Sequence, residues 1–272
     1  MSKCPWVPSE ERREPLRQTF ETAADLYDTA RPDYPAELFD DVVELAGLEP
    51  GAQLLEIGCA TGKATRAFLE RGFSVTCVEL GAGLAQLARR NLAGLPVTID
   101  VAPFESWDAE PASFDLVFAA TAWHWIDPQV RYEKAHRVLR PDGHLAFWSA
   151  AHAFPAGFDP FFTEIQEVYD EIGESHGEEW PPPSPDDVSD DAAEIQASGL
   201  FEDVRVRRHV WERRYTADDY VALLETFSGH ITMRQKERER LYSEVRRRIG
   251  ARADPRVLRH WFAILHVARR RT

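Results

Sequence analysis

Five short apolar runs between residues 36 and 150 constrain the fold more than any other feature of the sequence. Several of the gaps between them carry apolar residues at the spacing of an amphipathic helix. Strands that alternate with helices predict right-handed crossovers and a mostly parallel sheet covered by helices on both faces. The runs are QLLEI (53–57), FSVTCVEL (73–80), LPVTIDV (95–101), FDLVFAA (114–120) and HLAFWSA (144–150).

The sequence after residue 150 predicts additions to this sheet rather than a second domain. Residues 158–172 place apolar side chains at helical spacing, whereas 200–211 alternate like a strand and 257–270 could form a last one. We therefore predict one domain over residues 1–272. Its parts are a core at 36–150, a C-terminal completion of the sheet at 199–272, and helical lid elements, here called the cap, at 1–35, 151–198 and 215–252.

Composition is typical of an ordinary globular protein and argues against several classes. The chain is 44% hydrophobic and 29% charged. Its longest apolar stretch falls far short of the ~20 residues that span a bilayer, and its first residues lack the apolar region of a signal peptide. The three cysteines are too few and too scattered for a disulfide framework or a zinc site. We expect a cytoplasmic protein without a metal or a membrane contact.

The net charge of −14 argues against a nucleic-acid partner, because binding to phosphates requires a basic surface. Basic residues are nevertheless concentrated in residues 234–272. Such a stretch is typical of a solvated helix face with ion pairs between successive turns, and a patch that contacts RNA or DNA is the alternative.

A loop with two glycines follows the first predicted strand and precedes a helix, in the segment LLEIGCATGKAT. Glycine permits the sharp bend and lets a ligand approach the backbone, while N–H groups at the helix start face that ligand. A dinucleotide-binding loop would read G-x-G-x-x-G, but Ala60 and Lys63 occupy its third and sixth positions, which disfavours a nicotinamide-dependent oxidoreductase. Glu56, two residues before Gly58, suits a ligand with an ammonium group and would repel a pyrophosphate.

This pattern resembles the first motif of the class I, Rossmann-like S-adenosylmethionine-dependent methyltransferases. Glu79 ends the second strand 17 residues after Gly62, and LRPDG (139–143) resembles the Leu-(Lys/Arg)-Pro-Gly-Gly turn of that family. The resemblance covers roughly residues 20–150. It implies an α/β fold with a seven-stranded, mostly parallel sheet, with S-adenosylmethionine as cofactor and S-adenosylhomocysteine as product.

The resemblance also implies which residues bind the cofactor. Glu79 would accept hydrogen bonds from both ribose hydroxyls, Phe104 and Glu105 would lie beside the purine, and Ala119 would offer its carbonyl to the ammonium group. In YDTARPDYP (27–35), Arg31 could bind the methionine carboxylate; a joint between helix and loop that packs its tyrosines is the alternative. The implied cofactor residues are Glu56, Gly58, Ala60, Gly62, Glu79, Leu80, Phe104, Glu105, Ala119, Tyr27 and Arg31.

The residues after the fourth strand narrow the choice of methyl acceptor. Family members that methylate exocyclic amino groups of DNA bases or protein amides carry (Asn/Asp/Ser)-Pro-Pro-Tyr there, whereas this chain reads AATA (119–122). Methylation at cytosine C5 needs a thiolate nucleophile, and Cys59 and Cys77 fall in the loop and the second strand. We expect an O, N or carboxylate nucleophile on a small molecule, methylated by in-line displacement.

Two other functions remain open. A catalytically inactive cofactor-binding protein with a regulatory or assembly role is one, and a nucleic-acid methyltransferase is the less favoured other. We expect a monomer or a homodimer.

His124 is the candidate general base. It lies at the exit of the fourth strand, where open α/β sheets bind ligands, and histidine can accept a proton near neutral pH. A scaffolding or cofactor-packing role is the alternative, because His-Trp pairs recur there in the family. Substrate contacts are assigned to Tyr34, Trp125, Trp148, His152, Phe227 and His230, with packing as the alternative.

Overall fold

The computed structural model describes residues 24–174, 180 and 182–272, and a mixed sheet lies at its centre. The strand order is β3-β2-β1-β4-β5-β8-β6, with β7 paired to β8. Strands β1 to β5 pair in parallel, whereas β8 is antiparallel to β5, β6 and β7. The mostly parallel α/β fold is therefore confirmed. The strands are β1 (Gln53–Ile57), β2 (Ser74–Glu79), β3 (Val97–Val101), β4 (Phe114–Ala120), β5 (Leu139–Trp148), β6 (Ala150–Ala153), β7 (Phe201–Thr216) and β8 (Arg256–Arg270).

Strands β5 and β6 lie along the same side of β8 as one interrupted strand. Phe147 is opposite His266, and Ala150 is opposite Ala263. The two pairs are three positions apart on both strands, so the register continues unchanged past Ser149. Among the described residues the chain forms eight strands, and counting β5 and β6 as one gives the expected seven. Strand β6 also extends the sheet to 153, three residues into the segment assigned to the cap.

Helices cover the core sheet, and the cap helices cover the N-terminal half of β8. No helix in the described ranges is long and apolar enough to cross a membrane. The helices are α1 (Ala24–Ala30), α2 (Ala36–Leu45), α3 (Lys63–Glu70), α4 (Ala82–Asn91), α5 (Arg131–Val138), α6 (Phe161–Glu164), α7 (Gln166–Glu171), α8 (Ala192–Ala197), α9 (Ala217–Leu224), α10 (Ser228–Ile231) and α11 (Gln235–Gly250).

The single helix expected over 158–172 is instead the two short helices α6 and α7. The helix begins after Pro160, where the carboxylate of Asp159 accepts a hydrogen bond from the backbone N–H of Phe161 at 3.0 Å. At Ile165 the backbone tightens, since its carbonyl accepts from the N–H of Val168 only three residues later. The apolar face predicted from the sequence is nevertheless buried.

Two large apolar clusters position the site. One lies between the central strands and helices α2, α3 and α4. The other joins α6, α7, α9 and α11 to Trp261 of β8 and forms the interior of the cap. Trp211 of β7 packs against both clusters. Burying a large apolar side chain contributes about 1.5–3 kcal/mol, so the cap is held firmly beyond the carboxyl ends of β4 and β5.

Candidate active site

The loop between β1 and α3 adopts left-handed backbone conformations at three positions. The φ angles are +71° at Gly58, +48° at Ala60 and +89° at Gly62. A Cβ atom added at Gly58 would lie 2.7 Å from the Cβ of Ala122, which is closer than real Cβ atoms approach. Ala60 adopts its conformation at a cost of about 1–2 kcal/mol, because the left-handed region crowds a side chain. The loop therefore depends on glycine at 58 and tolerates alanine at 60.

Glu79 at the end of β2 holds this loop through its carboxylate. One oxygen accepts a hydrogen bond from the backbone N–H of Ala60 and the other from that of Gly81, both at 2.8 Å. The residue is only 6% exposed. Each carboxylate oxygen can accept a second hydrogen bond, so the group can support the loop and still receive hydroxyls from a ligand.

Glu56 lies under the loop, where it is 1% exposed and accepts a hydrogen bond from the hydroxyl of Thr65. Burial, with a smaller contribution from the negative charge of Glu79, raises the pKa of Glu56 to about 8 against the opposing effect of the Thr65 hydroxyl. A ligand cation beside this carboxyl would favour its ionised form. The hydroxyl of Thr61, also buried, has no hydrogen-bond partner in the described structure. These groups fit a ligand with an ammonium group and further polar atoms.

Residues 31–34, here called the strap, cross the front of the loop and are attached at three points. The guanidinium of Arg31 donates to the hydroxyl and carbonyl of one threonine at 2.7 and 2.9 Å. The Tyr34 hydroxyl lies 2.8 Å from another threonine hydroxyl, and a lysine ammonium lies 2.9 Å from Asp33. The attachments are Arg31 to Thr226, Tyr34 to Thr121 and Asp33 to Lys63.

The loop, the strap, the exit of β4 and residues of β6 and β8 enclose a partly open cleft. It brings together six residues predicted from the sequence, which are Tyr27, Arg31, Tyr34, Glu56, Gly58 and Ala60. Its other lining residues are Pro32, Cys59, Thr61, Lys63, Ala64, Ala120, Thr121, Ala150 and Trp261.

Several predicted cofactor residues do not line this cleft. Ala119 is fully buried opposite Phe147, and its neighbour at 120 lines the cleft instead. Phe104 is buried in the core. The Glu105 carboxylate accepts a hydrogen bond from the backbone of Asp127. Gly62 lies against the side chain of Leu92. Glu79 contacts the backbone of the loop rather than the cleft, and Leu80 directly follows β2.

His124 and Trp125 belong to a 3-10 helix (Trp123–Trp125) and also lie outside the cleft lining. Burial, with Arg131 nearby, lowers the pKa of His124 to about 4. The imidazole is therefore neutral at physiological pH and a weaker base than an ordinary histidine. The role of His124 as a base stays a prediction.

The predicted substrate residues divide between core and cap. Trp148 is 1% exposed and stacks on Phe118, so it supports the ring of Tyr34, which meets it edge to face. His152 packs against two phenylalanine rings of the cap, and His230 lies 2.9 Å from the Tyr169 hydroxyl. The Phe227 ring lies under the Arg31 guanidinium at 4.1 Å.

Sequence reasoning missed Thr121, Thr226 and Trp261. Thr121 has a φ of +56°, and its hydroxyl accepts from the backbone of Ala150 at 3.1 Å while it meets Tyr34. A left-handed threonine carries no sequence signal. Trp261 lines the cleft because it pairs directly with His152, a register that the isolated strand patterns do not specify.

Comparison with known proteins agrees with this geometry. Residues 55–147 match a family model described as a methyltransferase domain. The chain is 34% identical over 134 residues to an uncharacterized methyltransferase of Mycobacterium tuberculosis (strain ATCC 25618 / H37Rv), covering 49% of this chain and 52% of the relative. It is 32% identical over 144 residues to the malonyl-[acyl-carrier protein] O-methyltransferase of Serratia marcescens, covering 51% and 54%. The chain thus spans about half the length of these curated relatives.

A solved structure from Anaeromyxobacter dehalogenans, provisionally described as a type II methyltransferase, is similar over nearly its whole length. It has a TM-score of 0.65 and 25% identity, covering 88% of this chain and 97% of the other. The fold and the loop define a Rossmann-like domain. The family match over residues 55–147 and the similarity to this structure support a class I S-adenosylmethionine-dependent methyltransferase domain.

Proposed function

We propose that this protein transfers the methyl group of S-adenosylmethionine to an O, N or carboxylate nucleophile of a small molecule by in-line displacement. The observation that carries the proposal is the left-handed loop from Gly58 to Gly62, held by Glu79 above buried Glu56. It lies at the carboxyl ends of β1 and β4, the edge at which open parallel sheets bind ligands. The name of the Serratia marcescens relative supports an oxygen nucleophile.

Residues in the cleft, together with Glu79 behind its loop, can hold each polar part of the cofactor. Glu56 receives the ammonium group, Glu79 the ribose hydroxyls, and Arg31 the methionine carboxylate beside Tyr27. Leu80, Phe104 and Glu105 would lie nearer the purine. When bound, the cofactor supplies an electrophilic methyl group on a sulfonium centre. The protein has to bind and orient both partners, and orientation alone can supply a large part of the rate.

The proposed reaction does not require His124 to remove a proton. An acceptor that is already ionised, or an amine in its neutral form, needs no general base. The lowered pKa of His124 suits a neutral group that packs near the cleft. Cytoplasmic location and a monomeric or homodimeric state belong to the same proposal.

Calorimetric titration with S-adenosylhomocysteine tests the cofactor site. Glu79→Ala should weaken binding about 100-fold, since it removes two charge-assisted hydrogen bonds of about 1.5 kcal/mol each. Glu70→Ala, at an exposed position of α3, should bind like the parent. Equal affinity in the parent and Glu79→Ala would refute the ribose assignment.

Transfer of a radiolabelled methyl group, screened over small phenols, amines and carboxylates, then tests the activity. Cofactor binding without turnover on any of them would favour the inactive regulatory protein.

A further inference from the structure

A second guanidinium, which is buried, lies next to the cleft and has no role in the cofactor assignment. Arg259 of β8 is 5% exposed. Its guanidinium carbon lies 4.3 Å from the ring centre of Trp261, which lines the cleft, and 5.5 Å from that of Phe227. One of its nitrogens is 3.3 Å from the Tyr220 hydroxyl, whereas its buried Nε has no hydrogen-bond partner in the described structure. The group is therefore only partly satisfied.

The charge of Arg259 is also unbalanced. Arg31 contacts the same Phe227 ring, and within the described ranges neither guanidinium forms an ion pair with a carboxylate. A buried cation beside a half-buried one is costly without an anion, because burial removes hydration and the two charges repel each other. A cofactor carboxylate at Arg31 would balance one of these charges. A second anion is needed to balance the other.

A neighbouring strand adds a second unpartnered group. His152 of β6 is directly opposite Trp261, and Arg259 precedes Trp261 by two residues, so all three lie on the same face of the sheet. The Nε2 atom of His152 is buried without a hydrogen-bond partner in the described structure. Burial and the nearby Arg259 charge lower the pKa of His152 well below its usual value, so the ring is neutral and can donate one hydrogen bond.

We propose that Arg259 and His152 bind a carboxylate of the methyl acceptor, which is therefore a small carboxylic acid with an aromatic or apolar body. The Nε edge of a guanidinium can bind a carboxylate through two parallel hydrogen bonds. The rings of Trp261 and Phe227 beside it offer an apolar surface for the rest of the molecule. That the bound acid is the methyl acceptor rests on the proposed function, whereas the anion site itself does not.

Calorimetry with matched acids and amides tests the proposal. Benzoate, phenylacetate and cinnamate would be titrated against their primary amides, both with the ligand-free protein and with protein saturated by S-adenosylhomocysteine. At least one acid should bind tenfold or more tightly than its amide. Arg259→Met should abolish that preference while S-adenosylhomocysteine affinity stays within twofold. Arg256→Met, the same change at an exposed arginine of the same strand, should alter neither.

The outcomes separate this proposal from the proposed function. The anion site is refuted if no acid is preferred tenfold over its amide, or if the preference persists in Arg259→Met. Should Arg259→Met fail to fold, the comparison of acids with amides on the unsubstituted protein decides alone. Acid binding without any binding of S-adenosylhomocysteine would overturn the proposed function and leave the anion site standing.

Discussion

Replacing Gly58 by alanine should be among the most damaging small changes in the cofactor loop. Two costs add at this position. The φ of +71° imposes about 1–2 kcal/mol on any side chain, and the 2.7 Å approach to the Cβ of Ala122 adds an overlap of about 1–3 kcal/mol. The sum is about 2–5 kcal/mol of unfolding free energy. In a chain of this length this corresponds to a fall in Tm of about 4–9 °C. Relief by movement of the loop should weaken S-adenosylhomocysteine binding at least tenfold.

A matched glycine separates the two costs. Gly72 has a φ of +86° but no atom within 4 Å of an added Cβ, so Gly72→Ala measures the backbone cost alone. Combining Gly58→Ala with Ala122→Gly should remove the steric overlap, so that only the backbone cost remains. Thermal denaturation and calorimetry of these three variants and of Ala122→Gly alone give both costs. A Gly58→Ala protein no less stable than Gly72→Ala would refute the reasoning.

Three further predictions follow from the same region. Burial raises the pKa of Glu56 to about 8, above about 4.3 in the unfolded chain, so its stabilising effect is complete below about pH 4 and is lost as the pH rises to 8. Between pH 5 and 9 the Tm of ligand-free Glu56→Gln should therefore fall less than that of the parent; parallel curves would contradict this. In thermal denaturation Tyr34→Phe should cost about 1 kcal/mol and Thr121→Val about 2 kcal/mol, because the second change also removes the bond from the Ala150 backbone. The double variant should cost less than the sum because both changes remove the Tyr34–Thr121 hydrogen bond; full additivity would count against that bond. His124→Gln should leave the shape of the methyl-transfer pH profile unchanged between pH 5.5 and 8, because the pKa of His124 is lowered to about 4; loss of an inflection near pH 6.5 would show that the histidine titrates in turnover.

The core could be predicted from the sequence because its signals are local. Buried parallel strands are short apolar runs, and QLLEI coincides with β1 at both ends. The loop between β1 and α3 could be predicted for the same reason. Glycine at 58 and 62 is needed for the left-handed backbone angles of these two positions, which lie within five residues of each other. Glu56 and Glu79 lie beside this loop because each is on a strand that adjoins it, and their roles toward the cofactor stay predictions.

The acceptor side of the cleft depends on long-range pairing, which local patterns do not contain. Arg259 lies diagonally across from His152 only through the register between β6 and β8, more than 100 residues apart in sequence. Trp148 was assigned to the substrate because an aromatic residue at a strand end can face either side of the sheet. In the structure its ring stacks on Phe118 and lies in the core. The choice between Ala119 and Ala120 was likewise decided by which face of β4 each occupies.

The unchanged register past Ser149 has a consequence for chimeras of related chains. The residues proposed to bind the charged group of the acceptor lie on the sheet, whereas the cap determines the shape of the acceptor pocket. His152 pairs with Trp261 of β8, and Arg259 of the same strand pairs with Arg213 of β7, so both residues remain with the sheet when the cap is replaced. The segments 154–200 and 217–255 lie between strands and can be transplanted without cutting a ladder pair. In such chimeras the shape of the acceptor pocket should change with the donor, while its preference for a charged group stays with the recipient.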